Sequence, residues 1–125
     1  MKRLIAILTL FILFTAYSFS HATGPENFYN TLQSKRVVLV KFWASWCMPC
    51  SLLKPNFEKA KRIIGNKALL AEYNVDLKGE PLRRYNVTTI PTMILFVNGK
   101  EVDRSNSILN AQDIKEWVLG YVPVN

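Results

Sequence analysis

The 125-residue chain carries 16 Lys and Arg against 9 Asp and Glu, and half of its residues are apolar. That length fits one ordinary domain, and the apolar content supplies a core, which excludes disorder. Two cysteines and one histidine, His21, exclude a multi-disulfide framework and fall short of the four ligands of a zinc site within one chain.

Met1-Lys2-Arg3 places charge before an apolar run from Leu4 to Phe19, and Ser20-His21-Ala22 supplies small residues at the −3 and −1 positions of a cleavage site. A basic start, an apolar middle and a small-residue exit read as a secretory signal over residues 1–22, leaving residues 23–125 as the domain. The alternative is an uncleaved anchor, although the 16-residue run falls short of the roughly 20 residues that span a bilayer. No cysteine follows the run, which argues against a lipoprotein. Either way the domain is expected outside the cytoplasm, in the periplasm or cell envelope, soluble after cleavage near Ala22 or tethered by its N-terminus. The remaining basic residues (Lys35-Arg36, Lys59 to Arg62, Lys67, Arg83-Arg84) are scattered and lack interleaved aromatics. They read as solvated surface, with no nucleic-acid partner.

Within the domain, Phe28, Tyr29 and Leu32 recur at helical spacing, which predicts a short helix over residues 26–33. Residues 37–43 form a β-branched, apolar run of the kind buried on both faces of a sheet. Leu53, Phe57, Ala60 and Ile64 mark one buried stripe of a helix over 49–64, with Pro55 inside it as a kink. A second strand is expected over 68–75, a short polar helix over 79–84, and a third strand over 92–97. Asn98-Gly99 is a two-residue hairpin signal leading to a fourth strand over 100–104. Asn110, with Asp113 three residues on, caps a last helix whose Ile114, Trp117, Val118 and Tyr121 share one face. The order predicts an α/β domain with a small mixed four-stranded sheet between helices. Phe42, Phe57, Phe96, Trp117 and Tyr121 are assigned to the core by their spacing, and Trp43 to the core beside the site.

Cys47-Met48-Pro49-Cys50 lies between the first strand and the long helix. A helix N-terminus presents unpaired N–H groups and partial positive charge, which stabilise a thiolate. Pro49 has no N–H to lose there. An ordinary structural disulfide is the bland alternative, but closing so short a loop constrains the unfolded chain little. The pair therefore reads as a redox couple.

The run Phe42-Trp43-Ala44-Ser45-Trp46-Cys47-Met48-Pro49-Cys50 resembles the signature of the thioredoxin family. Pro55 matches its helix-kinking proline, Ile90-Pro91-Thr92 its segment with a cis proline, and Phe96-Val97-Asn98-Gly99 its hairpin. The resemblance covers nearly all of residues 23–125 and implies a thioredoxin fold whose N-terminal strand is short or missing. It also implies thiol:disulfide oxidoreductase activity that needs no cofactor beyond the Cys47–Cys50 pair. By the same resemblance Cys47 is the exposed attacking thiolate and Cys50 the resolving thiol. Trp46, Met48 and Pro49 shape the surface around the sulfurs. Pro91 lies against them, leaving the Thr89-Ile90 backbone to bond an extended substrate. A trans proline opening a strand is the alternative at Pro91.

Three positions depart from the family. Lys41 stands where thioredoxins usually carry a buried Asp, and Glu72 where they often carry Lys. Together they read as an exchanged ion pair across neighbouring strands. Three roles are open to it: Glu72 accepting the Cys50 proton with Lys41 balancing its charge, a purely structural pair, or two tips held in solvent. Ser107 replaces a Gly common beside the docking groove, and Met48 adds an adaptable apolar contact.

These features predict a monomeric exported enzyme that reduces or exchanges protein disulfides, with a membrane thiol protein as electron donor. Substrates of this class include apocytochrome c cysteines and misoxidised envelope proteins. An envelope oxidase or isomerase on the same fold is the first rival, and a non-catalytic docking domain the second. The missing histidine between the cysteines favours a reductant, whereas Lys41 favours a more oxidising disulfide.

Overall fold

β1 (Val37–Trp43) is the spine of the protein, and six of its seven residues are buried. Successive side chains of a strand point to opposite faces, so a strand covered on both sides must be apolar throughout. β1 pairs in parallel with β2 (Leu69–Asn74) and antiparallel with β3 (Thr92–Val97), which pairs antiparallel with β4 (Lys100–Ser105). The spatial order is β2-β1-β3-β4. The computed structural model describes residues 23–124, so the expected signal over 1–22 lies outside the described residues.

Helices cover both faces. On one side α2 (Met48–Ile64) and α4 (Ala111–Leu119) bury Leu53, Phe57, Ala60, Ile64, Ile114 and Val118 against Val37, Leu39, Leu70, Met93 and Leu95. On the other, α1 (Phe28–Gln33) and α3 (Glu80–Arg84) lie over Val38, Val40, Phe42, Tyr73, Ile94 and Phe96. Phe28 anchors that layer, its ring centroid 5.4 to 6.2 Å from those of Tyr29, Phe42, Tyr73, Tyr85 and Phe96. The buried Tyr73 hydroxyl donates to the Lys78 carbonyl, and burial, with Glu26 nearby, raises its pKa.

The expected four strands and helices on both faces are present, with ends shifted by one or two residues. No full strand precedes β1 among the described residues; a single backbone bond, Thr23 N–H to the Glu72 carbonyl at 3.0 Å, runs along the outer edge of β2. α2 continues through Pro55 as one helix. The hairpin turns at Asn98 (φ 52°) and Gly99 (φ 79°), the left-handed pair a tight hairpin needs. One assignment to the core requires correction. α4 stops at Leu119, so Tyr121 lies beyond it and is 38 % exposed. Trp117 packs against the core as expected, half-buried with its indole N–H reaching out to the Asp103 carboxylate at 2.8 Å.

The Asn110 side chain accepts the Asp113 N–H at 2.8 Å, closing the first turn of α4 as expected. Losing such a cap costs about 1 kcal/mol. Asn110→Ala should therefore lower the melting temperature by about 4–8 °C, measured by circular dichroism, and leave the fold intact.

Candidate active site

The site forms where β1 ends and α2 begins. Cys47 is the N-cap of α2, with extended backbone angles (φ −93°, ψ 108°), and its Sγ accepts the Cys50 N–H at 3.2 Å. The sulfur thus occupies the place a Ser or Asp oxygen takes at an ordinary helix start. Cys47 and Cys50 are disulfide-bonded with Cα atoms 5.3 Å apart. Ala44 packs against both cysteines, and Trp43, Val75 and Ile90 close the cluster. Trp43 is only half-buried.

The expected exposed Cys47 needs correction: in the bonded state it is 5 % exposed, little more than the 3 % of Cys50. Its neighbours are the exposed ones, Trp46 at 70 % and Met48 at 76 %. The Trp46 indole N–H donates to both carboxylate oxygens of Asp76, at 3.0 and 3.2 Å, which holds the ring beside the cysteines. Asp76 escaped the sequence reading. Its one signal is its place just after β2, at the sheet end where α/β sites gather.

The Ile90–Pro91 peptide bond is cis, and Pro91 is buried next to Ile90. Thr92 Oγ1 donates to the Thr89 carbonyl at 2.6 Å. Asn106, also missed from sequence, bonds through Nδ2 to Thr89 Oγ1 at 2.6 Å and to Thr92 Oγ1 at 3.2 Å. Ser107 is exposed in the same loop.

Strand parity decides where the charges lie. Lys41 shares the α2-facing side of β1 with Val37 and Leu39, and it stands in register with Glu72 of the neighbouring strand. Its Nζ lies 2.9 Å from Glu72 Oε1 and 4.5 Å from the Phe57 ring centroid. The Lys41 side chain is 3 % exposed and that of Glu72 24 %, which overturns the solvent-tip reading: Lys41 is desolvated and Glu72 only reaches the edge of water. Both line a cavity of about 350 Å³ together with Cys50, Ser51 and Lys54. A cavity of that size has room for water between carboxylate and thiol. Among the described residues no cluster of three His, Cys, Asp or Glu side chains could hold a metal, and the redox group is the chain's own sulfur pair.

The family model for thioredoxin matches residues 20–119. Thioredoxin of Rickettsia bellii (strain RML369-C) is 34 % identical over 99 residues, covering 79 % of this chain and 94 % of the relative. The bifunctional thioredoxin reductase/thioredoxin of Mycobacterium leprae (strain TN) is 42 % identical over 82 residues, covering 66 % of this chain and 18 % of that protein. In three dimensions a mutant thioredoxin from Halobacterium salinarum NRC-1 superposes with a TM-score of 0.72 at 26 % identity, covering 83 % of this chain and 90 % of that one. With a disulfide that caps a helix and, packed against it, the Ile90 of a cis Ile90–Pro91 bond, these matches place the chain in the thioredoxin family, as a thiol:disulfide oxidoreductase whose redox group is Cys47–Cys50.

Proposed function

We propose that the chain works in the cell envelope, where it reduces or exchanges disulfides of exported proteins. The observation that carries the chemistry is the Cys47 sulfur accepting the Cys50 N–H in the first turn of α2. In the reduced enzyme that amide and the helix dipole favour a thiolate on Cys47. The thiolate attacks a guest disulfide, forming a mixed disulfide and releasing one guest thiol after protonation. Cys50 then loses its proton and attacks Cys47 Sγ, which expels the second guest thiolate and restores the Cys47–Cys50 bond. Two electrons have passed to the guest, and a thiol donor must return them. In an oxidising compartment a membrane thiol-transfer protein is the donor we assign. Trp46, Met48 and Pro49 form the contact surface around the sulfurs, and Pro91 holds the Thr89-Ile90 backbone against the guest. The envelope location rests on the N-terminal pattern of residues 1–22.

Glu72 takes the Cys50 proton through the shared cavity, and Lys41 holds the carboxylate in place. A general base must reach its proton directly or through one water, and the cavity allows the second route. Lys41 also supports a second reading. With Lys54 it brings two cations to the cavity beside Cys50, which favours thiolate and makes the disulfide more oxidising. A potential of about −270 mV, like that of thioredoxin, marks a reductant, and one of about −120 mV an oxidase.

Two experiments test these roles. In cells expressing full-length Cys50→Ser, disulfide-linked guests should accumulate on Cys47 in the envelope fraction, on chains beginning at Thr23. Recovery of the mixed disulfides only from cytoplasm, on chains retaining Met1, would overturn the export reading.

For the ion pair, Glu72→Gln should destabilise the domain by about 3 kcal/mol, since it strands a buried ammonium. Lys41→Met combined with Glu72→Gln should regain most of that stability yet remain about 100-fold slower in turnover. A double variant that recovers both stability and rate makes the pair structural only.

A further inference from the structure

The loop between β4 and α4 forms a wall beside the cis-proline segment, and it is fixed at two points. Asn56 of α2 donates to the Leu109 carbonyl at 3.1 Å, and Asn106 reaches across to Thr89 and Thr92. Hydrogen-bond bookkeeping sets the orientation of the Asn106 amide. Thr92 Oγ1 spends its one proton on the Thr89 carbonyl, so towards Asn106 it can only accept. Nδ2 must therefore face Thr92 and Thr89, and Oδ1 faces the other way. Among the described residues Oδ1 receives no hydrogen bond, and Asn106 is exposed. A bare amide oxygen thus belongs to the same side chain that holds Thr89, the residue before Ile90, which packs against the cluster of Ala44, Cys47 and Cys50.

We propose that Asn106 is a specificity-determining residue with two tasks. Its Nδ2 positions Thr89, and with it the backbone edge on which a guest lies. Its Oδ1 accepts a backbone or side-chain N–H from the extended guest segment that carries the disulfide. The partner chemistry is a stretched, polar-flanked polypeptide around a cystine; an amide in the wall is a poor match for an apolar flank, which would leave Oδ1 desolvated and unpaired. This inference rests on the docking role given above to Thr89-Ile90.

The test uses the purified domain, with insulin as the protein disulfide and dithiothreitol as the reductant. Asn106→Val should raise KM about five- to tenfold, the effect of one or two lost hydrogen bonds, while kcat and the equilibrium with glutathione stay within about twofold. Because Asn106 acts partly through Thr89 Oγ1, the Thr89→Val/Asn106→Val double variant should have a KM within about twofold of Asn106→Val alone. Should Asn106→Val melt early, Asn106→Ser is read the same way. An unchanged KM in an active enzyme, or a loss shared equally by kcat and the glutathione equilibrium, overturns this inference alone. A wild-type domain inactive on insulin overturns the docking role as well.

Discussion

The Cys50 amide in the first turn of α2, donated to the sulfur of Cys47, is the interaction around which the rest of the protein is arranged. A helix start left without a partner is costly, and here a reactive atom takes the place of an inert cap. That substitution works only if the helix cannot shift. β1, buried on both faces, delivers the chain to Cys47, and α2 is clamped along its length by Leu53, Phe57, Ala60 and Ile64. The core is therefore a mounting for one short loop, against which Ile90, ahead of a cis proline, also packs.

The charges behind the loop follow from the same geometry. A lysine on the α2-facing side of a central strand sits in the driest part of the domain, where an isolated ammonium is expensive. Glu72, one strand across, and the face of Phe57 compensate it. The family's usual buried acid is thus replaced by a base, with the acid moved outward towards water. The Glu72 carboxylate and Cys50 line one cavity, and Lys41 brings its positive charge to the same wall.

Much of this was legible in the residues. The central strand announces itself by having no polar face, the hairpin by Asn98-Gly99, and the last helix by its Asn110 cap. The cysteine spacing and the Ile90-Pro91-Thr92 segment located the site, and the Lys41–Glu72 pairing followed from two departures matched across strands. What escaped were contacts made by short polar side chains between distant loops. Asp76 lies 30 residues from Trp46, and Asn106 lies 17 from Thr89. Neither partner carries periodicity or a turn signal that names the other. Tyr121 was misplaced because its spacing continues the stripe of α4, whereas the helix itself closes at Gly120.

The outermost strand, β4, has a further bearing on how such an enzyme meets its protein substrates. Its outer edge is polar and mostly exposed, bearing Lys100, Glu101, Asp103 and Arg104, and its register slips opposite Leu95 and Phe96. Charged and bulged margins resist the addition of foreign strands. A protein that exchanges disulfides with other proteins is thereby shielded from sticking to them side by side, and lasting contact is left to the end where the bond formed is chemically reversible.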